Sequence, residues 1–484
     1  MADDIEAAGV DYINAYAEKH CDGILQCSWN SGRGRILIAT SELEAGSPIL
    51  AEEPLHVVEE DWSCNAFKRL KQLCMRYPGE LYYDALWYWC ALRSLSCEQL
   101  ECARAGGWVG TTPEIQQRLM LLHHEKVSEP SGGAQILARE LVPAVDPMDI
   151  QTLLDIWLLN CFELSETASC VYFFSSFMSH SCLPNAIWHH TGNTYVLRAR
   201  RKIQIGDEVC ISYLSEDDLM QSVPVRVERL QRTKRFWCTC ERCAGLDDVC
   251  RGFVCPECCH GQVFAHVPGF GETADATIWS SAQLCGVVCK ACGTHVTTPV
   301  AGELLEHERK LKSIVAELDG CCKPGRSMEV DGDCGFVVEE LRSIEKFIDE
   351  HFMQHVLADL VWERLADCYS TLRCKSDQCR ILQRRCEFSA AAYPGFSGAH
   401  AWALDALGDA LSEDVSSYTV ENADQDLSHC GLADDPIGKA CRLYHQAWQI
   451  LRLLFGDDHE YTTDLQFKLE RLGGVQTYHV HESI

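Results

Sequence analysis

Three cysteines within six residues, Cys238-x-Cys240-x2-Cys243, are too close together to be independent core positions. Their spacing suits a metal: a tetrahedral zinc site takes cysteine thiolates, and these three need one more soft ligand to close it. A second set, Cys255-x2-Cys258 and Cys289-x2-Cys292, has the paired spacing of a zinc ribbon, with Gly293 after the last thiol. Cys259 and Cys285 compete as ligands there, and His260, His266 or His295 could substitute. Upstream lies a polar turn, Ser179-His180-Ser181-Cys182-Leu183-Pro184-Asn185, followed by Gly206-Asp207-Glu208-Val209-Cys210-Ile211-Ser212-Tyr213. Taken alone, Tyr213 on an apolar strand reads as packing. Asn160, near the end of the apolar run Leu153 to Phe162, is unusual because a buried amide needs several partners. It reads either as a structural cap or as a residue that holds a ligand.

The elements that must carry these residues change in type along the chain. Ser31-Gly32-Arg33-Gly34 passes from a turn into an apolar strand through Ala39, and Ser47 to Pro54 reads as a second strand. The two glycines fit an ordinary hairpin turn needing positive φ, or a backbone that passes close to a ligand. Residues 62–160 are mainly helical, and Asp149 to Leu164 predicts a buried helix. From Ala168 to Ser215 the pattern is short strands and turns, with a hairpin of Ala186 to His190 and Thr194 to Ala199 across Thr191-Gly192-Asn193. Such short, mostly non-parallel strands argue against a doubly wound nucleotide fold. Leu219 to Lys234 is a basic helical stretch. Beyond Ala301, apolar periodicity predicts helices over Leu304–Leu318, Glu339–Cys368, Cys379–Tyr393, Ala399–Leu411, Ile437–Leu454 and His459–Leu472. These resemble tetratricopeptide-like stacking, though without a clean consensus repeat. They would form a concave surface for a peptide or chaperone partner, or a cap that stabilises the first domain.

Composition narrows the setting. The 484 residues, 47% apolar and 23% charged, describe a folded chain long enough for more than one domain. Seventy-one acidic against 42 basic residues give a net charge of −29, which repels a phosphate backbone and attracts a basic protein segment. Direct nucleic-acid binding is therefore not expected. The longest apolar stretches fall short of a membrane span, and the acidic start from Met1 to Glu6 lacks the regions of a secretory signal. Thirty cysteines in that context read as metal ligands and buried free thiols in the reducing interior of a cell, cytoplasm or nucleus, rather than as disulfides. Cys90, Cys161, Cys170 and Cys210 read as small hydrophobes.

In order and spacing, His180 to Asn185, Gly206 to Tyr213 and Cys238-x-Cys240-x2-Cys243 resemble the SET-domain family. In layout they are most similar to the SET and MYND domain-containing lysine methyltransferases. The resemblance covers residues 28–243 and is looser beyond. No finger of the MYND type is visible between Leu55 and Asp149, where a helical insertion is expected instead. The fold class implied is α+β: a SET β-fold over 28–243 with a helical insertion at about 60–160 and a post-SET zinc site at 238–243, then a zinc-ribbon-like segment over 244–300 and an all-α tetratricopeptide-like domain over 301–484. The activity implied is methyl transfer from S-adenosylmethionine to the side-chain amine of a lysine in a basic protein or peptide, such as a histone tail. Tyr213 would be the catalytic residue, orienting the acceptor amine and the methyl. Arg33, Gly34, Asn160, Ser179, His180, Tyr213 and Phe236 would hold the cofactor. Cys182 would join Cys238, Cys240 and Cys243 around one structural zinc, closed to substrate and fixing the segment that carries Phe236.

Three positions depart from the family's pattern. Ser179 stands where an asparagine is usual, Ile36 where a second glycine is usual, and Lys234 where a post-SET tyrosine is usual. These changes are compatible with altered cofactor geometry, altered product number or a degenerate enzyme. The rival reading is accordingly a SET-derived interaction protein that has lost catalysis and binds partners through its helical end. A further alternative is methyl transfer to another nitrogen.

Overall fold

Strand β1 (Leu25–Asn30) turns back on β2 (Gly34–Ala39) in full antiparallel register, from Asn30↔Gly34 to Leu25↔Ala39. Gly34 begins β2 at φ 77°, a left-handed conformation that a Cβ disfavours. The computed structural model describes residues 2–103, 108–267, 281–321, 334–412 and 436–473, so part of the expected segment 244–300 lies outside the described residues. The chain folds as two compact units. The first comprises Met1–His180, Pro184–Ile211 and Arg232–Arg235; the second comprises Ser181–Leu183, Ser212–Gln231 and Phe236–Ile484.

In the first unit, α1 (Ala2–His20) precedes the β1–β2 hairpin. The strands β3 (Pro48–Glu52) and β4 (His56–Glu59) follow it. Helices α2 (Asn65–Arg76), α3 (Ala85–Arg93), α4 (Cys97–Ala103), α5 (Pro113–Leu119), α6 (Gly132–Leu141) and α7 (Pro147–Asn160) then form the expected helical insertion. The start of α7 is locally encoded: the Asp146 carboxylate accepts from the Met148 N–H at 2.9 Å, and Pro147 occupies the first turn. Leu153, Leu154, Ile156 and Trp157 bury α7 on several faces, and the Trp157 indole donates to Ser94 Oγ at 2.7 Å. Removing that ring would cost about 3–5 kcal/mol.

After α7 come β5 (Phe162–Ser165), β6 (Ala168–Val171), β7 (Ser179–His180), β8 (Ala186–Thr191), β9 (Thr194–Ala199) and β10 (Cys210–Ile211). They build two three-stranded sheets, β3-β9-β8 and β4-β6-β5, and a short parallel pair, β10-β7. The predicted hairpin is present with Thr191 opposite Thr194. Glu52 is a buried carboxylate inside this unit. It accepts from the N–H groups of Phe174 (2.7 Å) and Ser175 (2.9 Å), the Ser175 hydroxyl (2.6 Å) and the Tyr16 phenol (3.3 Å). Those bonds fix the tight turn that leads into β7.

The second unit holds most of α8 (Val223–Lys234), whose last residues, Arg232–Lys234, group with the first unit, and all of α9 (Glu241–Ala244). The predicted start of α8 at Leu219 is corrected to Val223, whose N–H is capped from afar by the Asp248 carboxylate at 2.8 Å. Strands β11 (Asp247–Val254) and β12 (Gln262–His266) form a hairpin. Helices α10 (Thr298–Cys321) and α11 (Cys334–His351) follow, then β13 (Phe352–His355) and helices α12 (Val356–Thr371), α13 (Lys375–Ala392), α14 (Gly398–Ser412), α15 (Pro436–Phe455) and α16 (Glu460–Arg471). From α12 onward each described helix packs on the next described one.

The single helix predicted over Glu339–Cys368 is two, separated by β13. Arg251↔His355 and Phe253↔Phe352 pair β13 with β11, and Gln354 sits at φ 55°, which an α-helix cannot contain. A buried network secures this junction. The Arg251 guanidinium donates to both carboxylate oxygens of Glu308 (2.7 and 2.8 Å), and His355 Nε2 bonds to Glu308 at 3.0 Å.

Candidate functional site

Four sulfur atoms from Cys182, Cys238, Cys240 and Cys243 lie within 4.8 Å of one another in the second unit. Cys182 and Cys238 are 4.0 Å apart, and Cys182 and Cys243 are 3.5 Å apart. A tetrahedron with bonds of about 2.3 Å has edges of about 3.8 Å, so the set fits a zinc ion. Cys182, Cys238 and Cys243 are buried. The Cys182 N–H also points at Cys240 Sγ, at 3.3 Å.

Two arginines, Arg226 from the basic helical stretch and Arg242 from the cysteine run, are turned inward here. Arg226 is 1% exposed, with Nη2 3.8 Å from Cys243 Sγ. Burial alone would depress its guanidinium, but the neighbouring Cys182, Cys243 and Cys250 thiols and the Asp248 carboxylate outweigh it and raise it. Arg242 donates to the carbonyls of Leu219 (2.6 Å), Ala392 (2.9 Å) and Cys182 (3.4 Å). Four thiolates around a dication carry a net charge of −2, and a buried guanidinium is the counter-charge such a site requires.

Cys255, Cys258, Cys289 and Cys292 form the second set, with sulfur separations of 3.8 Å for Cys255–Cys292 and for Cys258–Cys289. Cys259, beside them in sequence, has φ 57° and turns its sulfur toward the Pro256 carbonyl, while Cys285 faces Thr298. Gly261 is required by close approach: a Cβ there would meet Cys289 Sγ at 2.4 Å and Cys258 Sγ at 3.0 Å. Burial pushes the Cys161 thiol up to about 11 and those of Cys170 and Cys210 up to about 12, so these are not thiolates at neutral pH.

Among the residues expected to face the cofactor, Ser179 and His180 form β7, paired in parallel with Cys210 and Ile211. Asn185, quoted within the motif but given no role from sequence, organises this pairing. Its Nδ2 donates to the Glu208 carbonyl at 2.8 Å and its Oδ1 accepts from the Cys210 N–H at 2.8 Å. Asn160 donates both amide hydrogens, to the carbonyls of His123 (2.8 Å) and Ile156 (2.7 Å). It is thus a structural clasp at the end of α7, and Oδ1 is the side-chain group left to meet a ligand. Arg33 pairs with Glu208 at the mouth of the β1–β2 turn.

In the second unit, Tyr213 and Phe236 meet edge to face, with ring centroids 6.3 Å apart at 88°. Tyr213 does not lie on a strand as predicted, because β10 ends at Ile211. Ser212 Oγ bonds the carbonyl (2.7 Å) and N–H (3.0 Å) of Leu214, and this local turn replaces the ladder. The ring is 38% exposed.

Residues 34–214 match the SET domain family model. The chain thus contains a SET domain. It is similar to the N-lysine methyltransferases SMYD2: the protein of Rattus norvegicus is 36% identical over 85 residues (18% of this chain, 19% of the relative), and that of Homo sapiens 35% over 85 residues, with the same coverage. SMYD2-A of Xenopus laevis is 37% identical over 82 residues, 17% of this chain and 18% of the relative. The match thus spans about a fifth of the length of these relatives. A crystal structure of the SET domain of LSMT bound to lysine and AdoHcy covers 80% of this chain and 94% of its own at 11% identity, with a TM-score of 0.28, a likeness too weak to bear on this chain.

Proposed function

We propose that this chain is a protein-lysine N-methyltransferase that uses S-adenosylmethionine. The observation that supports it most is the SET match over 34–214, together with a cysteine of the His180–Asn185 turn meeting the Cys238–Cys243 thiols. S-adenosylmethionine supplies an electrophilic methyl on a sulfonium. The chain's task is then to hold a neutral amine in line with it. Tyr213, with an accessible phenol beside Phe236, would orient that amine. Asn160 Oδ1 is an acceptor suited to the donor's ammonium, and Arg33, Gly34, Ser179, His180 and Phe236 are proposed as its other contacts.

Zinc is proposed at both four-cysteine sets, and the sulfur separations are compatible with it. The acidic composition favours a basic protein substrate, a histone tail among others, in the cytoplasm or nucleus. Successive packing of α12 to α16 supports a tetratricopeptide-like domain over 301–484, which we propose as a surface for a peptide or chaperone partner. No described helix is long and apolar enough to cross a membrane.

The test is transfer of labelled methyl from S-adenosylmethionine into basic peptides and cell extract, with calorimetric titration of the cofactor. The expected result is binding with transfer, and a loss of at least about a hundredfold in Tyr213→Phe with binding retained. Binding and transfer both absent from intact, zinc-loaded protein would leave the interaction-protein reading in its place.

A further inference from the structure

The segment that carries Tyr213 has no strand to hold it, since β10 ends at Ile211. Local bonds stiffen it instead. Ser212 bonds Leu214, the Ser215 carbonyl accepts from the Leu219 N–H at 3.0 Å, and the Ser215 hydroxyl accepts from the Asp218 N–H at 3.1 Å, which makes one compact turn from Tyr213 to Leu219. Both anchors of that turn lead to the corner between α13 and α14. Glu216 Oε2 accepts from the Gly398 N–H at 2.7 Å, across 182 positions of sequence. Gly398 opens α14, whose first N–H groups lack intrahelical acceptors and whose dipole favours a carboxylate. A Cβ on Gly398 would meet Glu216 Cγ at 3.1 Å, so the absent side chain makes room for that approach. Arg242 supplies the second anchor. Its guanidinium donates through Nη1 to the Leu219 carbonyl (2.6 Å) and through Nη2 to the carbonyl of Ala392 (2.9 Å), the last residue of α13, and lies 5.1 Å from the ring centroid of Tyr393. Tyr213, Glu216, Leu219, Arg242 and the α13–α14 corner all belong to the second unit.

We propose that Glu216 is a positioning residue for methyl transfer: seated on the first turn of α14, it sets where the Tyr213 phenol stands. The proposal rests on the methyltransferase reading above, with Tyr213 as the residue that orients the amine. Glu216 acts through Tyr213 and needs no contact with the amine or the methyl. A bond from a carboxylate to a backbone N–H is short and directional, and the serines on either side of Leu214 pass its constraint along the turn. Misplacing a group that aligns an in-line transfer by about 1 Å costs on the order of a hundredfold in rate. The α13–α14 corner, which the sequence offers only as part of a partner surface or a cap, thereby takes a share in the chemistry without touching it.

The test uses the full, zinc-loaded chain and its Glu216→Ala and Glu216→Gln variants in labelled-methyl transfer to the basic peptide that the parent chain methylates fastest. It resolves kcat from KM, with calorimetric titration of S-adenosylmethionine and metal content measured alongside. Expected in Glu216→Ala is a kcat lower by about tenfold or more, with the peptide KM and the cofactor affinity within about threefold and the metal equivalents kept. Glu216→Gln retains an acceptor oxygen for the Gly398 N–H and should recover most of that rate. On the residual activity of Tyr213→Phe, adding Glu216→Ala should cost less than about twofold, because the phenol it positions is gone. An unchanged kcat in Glu216→Ala, or the same fold loss with and without the phenol, overturns the proposal and leaves the methyltransferase reading intact. Transfer absent from the parent chain overturns both.

Discussion

The cluster of Cys182, Cys238, Cys240 and Cys243 draws one thiol from a turn 56 residues before the nearest of the others. The cluster of Cys255, Cys258, Cys289 and Cys292 joins two short knuckles, with Cys258 and Cys289 31 positions apart. The first is mostly buried and answers its charge with Arg226. The second leaves Cys292 exposed, so water screens it, and Gly261 makes room for its thiols. With metal bound as proposed, two sets of similar sulfur geometry would serve different ends: one would tie distant stretches of chain together, while the other would stiffen a local segment.

That contrast can be broken most directly at the thiols. Cys240→Ser is expected to remove one metal equivalent and at least about a hundredfold of methyl transfer, or about 2.7 kcal/mol. Cys258→Ser should remove one equivalent with transfer changed less than about threefold. Equal losses of activity would erase the distinction. Of smaller effect is Arg226→Met, which leaves four thiolates without their buried cation and should lower stability to denaturant by about 3 kcal/mol. An unchanged midpoint would show that the guanidinium is not the counter-charge. The smallest effect belongs to Gly261→Ala. It should cost about 1–2 kcal/mol and weaken metal retention only at the second cluster, measured by chelator challenge.

How much of this was legible in sequence depended on whether the cause was local. The spacing Cys238-x-Cys240-x2-Cys243 announces a metal because three thiols crowd one turn, and the apolar run announces α7, although the helix read as Asp149 to Leu164 starts at Pro147, where Asp146 caps it, and ends at Asn160. Cys182 was reached through family likeness; no spacing rule joins it to residues so far away. Spacing favoured Cys258 without excluding its neighbour Cys259, and at Cys259 a φ of 57° turns the sulfur to the Pro256 carbonyl instead. The break at Phe352–His355 was invisible because apolar periodicity there continues through it, and pairing with β11 overrides the helical preference. Arg226 and Arg242 had no assigned role in sequence, since the thiols and carbonyls that justify their burial are neighbours only in space. Glu52 was missed for the same reason: its four donors come from Tyr16 and the Phe174–Ser175 turn.

The distance between Cys182 and its partners also bears on how the protein comes into being. Closing a loop of that length costs on the order of 4 kcal/mol in chain entropy, and the metal proposed there, shared by both ends, would offset it. During synthesis the turn holding Cys182 emerges from the ribosome well before Cys238, Cys240 and Cys243. Until those three appear, Cys182 is a thiol without its ligand set. With zinc bound there as proposed, the supply of metal at the moment the last cysteines emerge would govern when this part of the chain matures.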